Sequence, residues 1–275
     1  MATRNDVMDL VSDLKRREEP FAIATVVRTV SVTAAKAGAK AVILADGTIE
    51  GGWIGGGCAK AAVVKAAREA LRTGEPRFIS VQPPDVLAAA GVTAGDQRNG
   101  VSFVKNMCPS QGTMDIFVEP VMPRASVVIC GSSPVAVALA ALASAMGYAV
   151  TVCAPELEQA AFASADRRIG GFELDATERA SRYIVVSTQG KGDEAALRAI
   201  LPVEAAYKAF VGSRRKMDSI RAKLAADGVP RAALDAVKAP AGLDIGAITP
   251  EEIALSILSE IVEVRRRAAR STALP

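Results

Sequence analysis

The sequence predicts a two-domain α/β protein, and three observations support that prediction. The chain has 275 residues, about the length of two ordinary domains. Beyond residue 124, short apolar segments alternate with alanine-rich helical segments, which is typical of a buried parallel sheet. The proline-containing segment 120–123 separates the halves. We therefore expect an N-terminal mixed α/β domain (1–123) followed by a Rossmann-like doubly wound parallel sheet domain (124–275).

The elements of the N-terminal half follow from local patterns. A short helix is predicted after Asn5 or Asp6, because either residue can cap it and apolar residues then recur at helical spacing. Asp46-Gly47 is typical of a hairpin turn, since glycine tolerates a positive φ. A second helix is predicted over residues 59–72. Strands are expected at residues 21–30, 41–45, 77–81 and 113–121, whereas residues 83–111 show no clear pattern.

The C-terminal half alternates strands with helices. Strands are expected at residues 126–130, 149–153, 183–187 and 206–211. The last helix begins with a capping box, in which Thr249 is the cap, Pro250 takes the first helical position and Glu252 completes the box. We expect this helix to end near Arg267.

The composition excludes several classes of function. The chain contains no histidine, which excludes hydrolases with an imidazole base, histidine-based zinc sites and HExxH metalloproteases. A net charge of +3 is too small to indicate a nucleic-acid partner. The four cysteines form no CxxC pair, so we predict neither a zinc ribbon nor a thioredoxin-like motif, and we expect no metal site.

Other features indicate a cytoplasmic protein. The many charged residues among the first twenty exclude a signal peptide. No apolar run reaches the roughly 20 residues that a membrane span requires, so we expect no membrane association. Free thiols in a reducing cytosol fit this cysteine content.

A degenerate dinucleotide fingerprint follows the first strand of the C-terminal half. Ser133 replaces the glycine that lets the backbone approach a pyrophosphate. Glu156, after the second strand, is the candidate partner of ribose hydroxyls. Dinucleotide binding and a scaffold with a modified or empty pocket are both open interpretations. The candidate binding residues of this motif are Gly131, Ser132, Ser133, Pro134 and Val135.

A second candidate site lies where another strand feeds a helix. Free amides at a helix N-terminus together with three cations suit an anion. The helix dipole disfavours cations in a first turn, so their presence favours a binding role over a merely solvated face. The residues are Gly212, Ser213, Arg214, Arg215 and Lys216.

The third candidate is a glycine-rich run, residues 51–57, that precedes Cys58. Five glycines in seven residues do not stabilise an ordinary strand, so we expect a backbone cradle for a phosphate or planar ring. Cys58 then falls at a helix N-terminus, which favours a thiolate. The alternative is a structural loop with a buried thiol. Cys108 taken alone is typical of an inert thiol, and we place Cys130 and Cys153 in the core.

These segments, in this order, resemble the XdhC/CoxI family of molybdoenzyme accessory proteins, and the matches cover most of the chain. Its CoxF-like members, from aerobic carbon monoxide dehydrogenase clusters, look closest. The matching segments are Gly38-Ala39-Lys40, Asp46-Gly47, Gly56-Gly57-Cys58, the block 108–120, the Rossmann segment 131–147, residues 212–216, Gly242-Leu243-Asp244-Ile245-Gly246-Ala247 and the block 249–257.

The resemblance implies a chaperone that binds the molybdenum cofactor, as a pterin or pterin dinucleotide. It also implies association with a cysteine desulfurase-type sulfurase and delivery to a molybdenum hydroxylase apoenzyme, with help in sulfuration or insertion. Cys58 and Cys108 become candidate catalytic, sulfur-handling residues. The apolar face of the last helix is compatible with a homodimer, which we expect. Candidate cofactor-binding residues in the N-terminal half are Lys40, Gly55, Gly56 and Gly57.

Departures from the family pattern favour binding over catalysis. Lys60 stands where the family usually has an acid, and residues 188–193 lack the usual His-Asp pair. The alternative function is an NAD(P)- or FAD-binding oxidoreductase or redox protein that uses the Rossmann pocket, and a purely structural adaptor is a third interpretation. Whether the protein is an enzyme stays open.

Overall fold

Two β-sheets organise the chain, one in each of two units. The computed structural model describes residues 6–109, 111–154, 161–174 and 181–273. The units are Met1–Pro123 and Arg124–Pro275. The first holds a seven-stranded sheet and the second a five-stranded sheet.

The first unit is a mixed sheet with helices. Its sheet has the order β3-β2-β1-β7-β4-β6-β5, with β4 and β6 parallel and the other pairs antiparallel. The helices are α1 (Val7–Arg16), α2 (Gly57–Thr73) and α3 (Pro84–Ala89). The strands are β1 (Phe21–Val30), β2 (Lys40–Leu44), β3 (Ile49–Gly52), β4 (Arg77–Gln82), β5 (Gln97–Arg98), β6 (Val101–Lys105) and β7 (Thr113–Val121).

Helices cover both faces of the first sheet because side chains alternate along its strands. Phe21 of β1 packs with Val11 and Leu14 of α1. The next residue, Ala22, belongs to the cluster that contains Val63 of α2. The two helices therefore bury opposite faces of β1.

The second unit is a parallel sheet of order β10-β9-β8-β11-β12. Its helices pack on both faces, which confirms the predicted doubly wound α/β class. The strands are β8 (Ser126–Cys130), β9 (Ala149–Ala154), β10 (Arg167–Gly170), β11 (Arg182–Val186) and β12 (Tyr207–Phe210). The helices are α4 (Pro134–Ala145), α5 (Asp193–Ile200), α6 (Arg214–Ala226), α7 (Arg231–Asp235) and α8 (Pro250–Ala273).

The glycine-rich run departs from its prediction. Its first two glycines complete β3, and Ala41 pairs with Gly52. A Cβ on Gly52 would lie 2.1 Å from the carbonyl oxygen of Lys40, so strand pairing itself requires glycine there. The expectation that the run avoids an ordinary strand is therefore wrong for Gly51 and Gly52. Only residues 53–56 form the loop that leads into α2.

The described part of the chain contains no helix that is both long and apolar enough to cross a bilayer.

A buried polar network anchors α8 to the second sheet. Glu260 accepts from the Tyr207 hydroxyl (2.6 Å) and the Gly242 backbone N–H (3.0 Å), and it pairs with the Lys238 ammonium. Burial, followed by the hydrogen bond to Glu260, raises the pKa of Tyr207 well above its usual range, so the phenol keeps its proton and donates. Three donors around one carboxylate fix the segment that precedes α8.

We predict that Glu260→Ala lowers the free energy of unfolding by about 2–4 kcal/mol, because it leaves buried donors without their acceptor. Glu263→Ala is the matched control on the same helix. Among the described residues Glu263 has an exposed ion pair with Arg267, worth at most about 0.5 kcal/mol. Urea unfolding of both variants measures the difference, and equal losses would contradict the prediction.

Candidate functional site

Three turns of the second unit lie at its carboxyl edge, the end where the parallel strands finish. Cys130 of β8 pairs with Val186 of β11, and Val186 pairs with Phe210 of β12, so the turns after these strands are neighbours. The strands β9 and β10 lie on the other side of β8, which places the topological switch point between β8 and β11. Ligands of doubly wound sheets bind at such a point.

The turn after β8 is held by contacts inside the protein. Gly131 has φ +121°, and a Cβ there would lie 2.3 Å from the carbonyl oxygen of Ser187. Ser133 caps α4 by accepting from the Ala136 N–H (3.2 Å), and its hydroxyl lies 2.6 Å from that of Ser187. The fingerprint positions Gly131 and Ser133 thus have structural partners of their own.

The first turn of α4 offers few donors to an anion. Pro134 has no N–H, and the cap already uses the amide of Ala136, so the Val135 amide is the first-turn donor that remains. Ser132 is half-buried in the turn. Glu156 lies outside the described residues. Binding at these positions stays a prediction.

The turn after β12 is better equipped for an anion. Ser213 caps α6 by accepting from the Lys216 N–H (3.2 Å), which leaves the amides of Arg214 and Arg215 as first-turn donors. Both arginine side chains are exposed, and neither has an ion-pair partner among the described residues. A Cβ on Gly212 would lie 2.4 Å from the Phe210 ring, so packing requires this glycine.

Lys216 has a different role from its two neighbours. Its ammonium lies 2.6 Å from Asp193, which also accepts from the Thr188 hydroxyl and the Gly190 N–H. Burial raises the pKa of Asp193, but these partners outweigh it and lower the pKa overall. Lys216 therefore links α6 to the segment that follows β11. Among the described residues, Arg214 and Arg215 remain as the available cations of the predicted site.

Sequence reasoning did not identify Ser187 and Asp193 as parts of this edge. Both are buried, at 1% and 8% exposure, and both contact residues of the predicted motifs. The available signal was their position after a buried strand of a parallel sheet: Ser187 directly follows β11, and Asp193 begins the helix that comes next.

In the first unit, the structure brings Cys58 and Cys108 together. Cys58 lies in the first turn of α2, close enough to Cys108 for its thiol and backbone N–H to affect the pKa of the Cys108 thiol. Burial, and next the adjacent Cys58, raises the pKa of Cys108. Asn106 holds the loop by accepting from the Cys108 N–H (2.9 Å) and donating to Gly112 (2.6 Å). Both thiols are half-buried.

Packing and backbone conformation explain only some of the glycines in the predicted cradle beside these thiols. Gly55 has φ +114°, which favours glycine. Gly56 and Gly57 have no left-handed φ, and a Cβ on either would meet nothing within 4 Å. Lys40, which we also expected to bind cofactor, donates to the Thr25 hydroxyl (2.9 Å). Glycine at positions 56 and 57 is therefore not required by the fold.

An open basic depression runs along α2 from its N-terminal end, the end that carries Cys58. We call it the α2 basic face, and it is lined in part by Gly57, Lys60, Lys65, Arg68 and Arg72. Arg68 donates to the carbonyl oxygen of Asp46. Lys60 adds a further cation to this face.

Comparison with known proteins gives relatives for both units. The chain is 29% identical to protein YqeB of Escherichia coli (strain K12) over 272 residues, which is 95% of this chain and 47% of YqeB. It is 26% identical to a probable xanthine dehydrogenase subunit of Bacillus subtilis (strain 168) over 168 residues, 57% of this chain and 48% of that protein. The chain thus spans about half the length of these relatives.

A solved structure of a xanthine dehydrogenase from Bacillus halodurans aligns over 96% of both chains, with a TM-score of 0.46 and 19% identity. Two family models match the sequence directly. The XdhC Rossmann domain matches residues 127–261, and the XdhC and CoxI family matches residues 14–82. Since these matches together cover most of the sequence, the chain belongs to the XdhC/CoxI family.

Proposed function

We propose that the protein is an accessory factor for maturation of a molybdenum hydroxylase of the xanthine dehydrogenase or aerobic carbon monoxide dehydrogenase type. It holds the molybdenum cofactor, or its dinucleotide form, as cargo and assists sulfuration or insertion. One observation carries this proposal. Arg214 and Arg215 lie at the carboxyl edge of the sheet in the segment that matches the XdhC Rossmann domain, and neither has an ion-pair partner among the described residues. The partners are the apoenzyme and a cysteine desulfurase-type sulfurase.

The chemistry of the carboxyl edge fits the phosphate end of such a cargo. Guanidinium groups bind phosphate oxygens in bidentate fashion, and free amides at a helix N-terminus add donors. Arg214 and Arg215 provide both, whereas Lys216 stabilises the turn through Asp193. The cargo itself supplies the metal centre at which the client enzyme hydroxylates its substrate.

The thiol pair of the first unit suits the sulfur side of the same function. Cys58 and Cys108 are adjacent, half-buried and next to two glycines that the fold does not require. A glycine that neither the backbone conformation nor the packing requires leaves room for a ligand or partner to approach the backbone closely. We assign Gly56 and Gly57 this role.

The alternative, an NAD(P)- or FAD-dependent redox protein, has weaker support. The backbone of Ser187 occupies the space that the missing side chain of Gly131 leaves. Ser133 stands at the fingerprint position where a glycine would face the pyrophosphate. Calorimetric titration with NAD(P) and FAD distinguishes the two functions, because saturable nucleotide binding without pterin binding favours the alternative.

The proposed function is tested by producing the protein with and without an active cofactor pathway and analysing it for molybdenum and released pterin. We expect both to copurify, and the loaded protein to activate a molybdenum hydroxylase apoenzyme. Protein that carries neither and leaves the apoenzyme inactive would refute the proposal.

We predict that replacing Arg214 and Arg215 by alanine weakens cargo binding about 10–100-fold, because charge-assisted hydrogen bonds are lost. Stability should stay equal or rise slightly, since the change removes cations from a helix N-terminus. Pterin binding and thermal unfolding measure the two effects. Arg231→Ala, at an exposed cation of α7, is the control and should bind normally.

We predict that Gly57→Ala leaves the fold intact and raises stability by up to about 1 kcal/mol, because alanine favours the helical first turn. The added methyl group should nevertheless impair activation of the apoenzyme. Thermal unfolding and an activation assay together test this. Unchanged activation would show that nothing approaches this backbone closely.

A further inference from the structure

A small cavity adjoins the thiol pair of the first unit. It has a volume of about 30 Å³ and is lined by Gly56 and Ala59, on either side of Cys58, and by Cys108 and Asn106, among others. This volume holds roughly two water molecules. The cavity therefore has room for one small released species beside Cys108, at the end of α2 that carries Cys58.

The two thiols differ in their surroundings. Cys58 follows Gly57, which lines the open α2 basic face. Cys108 lines the small cavity and is fixed by Asn106. Its raised pKa favours the protonated thiol, so Cys108 is a poor first nucleophile. This difference assigns first contact with a substrate to Cys58 and the second step to Cys108.

We propose that Cys58 and Cys108 form a sulfur-releasing dithiol whose substrate is a hydropersulfide, R–S–SH. The inference rests on the sulfur branch of the proposed function. It adds a reaction that makes inorganic sulfide at the small cavity and leaves a Cys58–Cys108 disulfide.

The reaction balances without an external oxidant. The Cys58 thiolate attacks the outer sulfur of the donor, which forms Cys58–S–SH and releases the donor as R–S⁻. Cys108 then attacks Sγ of Cys58, the S–SH bond breaks, and the leaving hydrosulfide takes the Cys108 proton as hydrogen sulfide. The transferred sulfur is reduced to sulfide while the two cysteine sulfurs are oxidised to the disulfide. A dithiol reductant restores the pair.

The other cysteines provide a contrast within the chain. Cys130 and Cys153 are also adjacent, because they pair across β8 and β9, but both are fully buried. Thiol exchange requires access of the attacking sulfur, so this second pair should not react. The described residues contain no group of three or more cysteines and acids that could hold a metal ion, so the first pair has no third ligand.

The test is anaerobic incubation of the full chain with glutathione hydropersulfide, with sulfide and cysteine modification measured together. We expect one sulfide per chain above the protein-free background and a disulfide-linked Cys58–Cys108 peptide that dithiothreitol cleaves. Cys108→Ser should retain one added sulfur on Cys58 and release sulfide only at background level. Cys58→Ser should form no disulfide. Cys130 and Cys153 serve as internal controls and should stay unmodified.

Wild-type sulfide release without the disulfide, or equal release by Cys108→Ser, would overturn the inference. The disulfide peptide from wild-type protein decides the question even if a serine variant fails to fold. Pterin binding by the same wild-type preparation separates this result from the proposed function. Normal binding without sulfide release refutes the dithiol alone, whereas sulfide release without pterin binding refutes the cargo role alone.

Discussion

The close approach of Gly131 to the backbone of Ser187 is the constraint on which the carboxyl edge depends. A Cβ at position 131 would lie 2.3 Å from the Ser187 carbonyl oxygen, so any side chain would push the two turns apart. The same contact positions Ser133 to cap α4 and to hydrogen-bond Ser187. The glycine of a nucleotide-type fingerprint here serves packing between neighbouring strands, and its presence alone is weak evidence for a bound nucleotide.

The distribution of charge favours the turn after β12, rather than the turn after β8, as the proposed anion site. Lys216 is neutralised by Asp193, but Arg214 and Arg215 remain in the first turn of α6 without such a partner in the described part of the chain. Each cation at a helix N-terminus typically costs about 0.3–1 kcal/mol. Among the described residues no ion pair offsets this cost, and the proposed external anion accounts for both arginines.

The sequence predicted those elements whose signals are local. The central strands of the second sheet are continuous apolar runs, and Cys130 and Cys153 are buried in them as expected. The edge strand β10 was not predicted, because exposed Arg167 and Arg168 give it no apolar pattern. The proximity of Cys58 and Cys108 left no local signal either, and only the family resemblance named both, since it depends on how the segments that carry them meet in space. Contacts of this kind come from tertiary packing, which no local propensity encodes.

The absence of histidine limits what either site can do, and both proposed roles respect that limit. Phosphate binding by guanidinium groups and amides involves no proton transfer. Transfer of a sulfur atom between thiols does, but the proton can pass from Cys108 directly to the leaving hydrosulfide, so no imidazole is needed. Asn106 can orient the Cys108 loop without taking a proton, because an amide is neutral across the physiological range. The chain lacks histidine, the usual general base near neutral pH, and neither proposed role requires one.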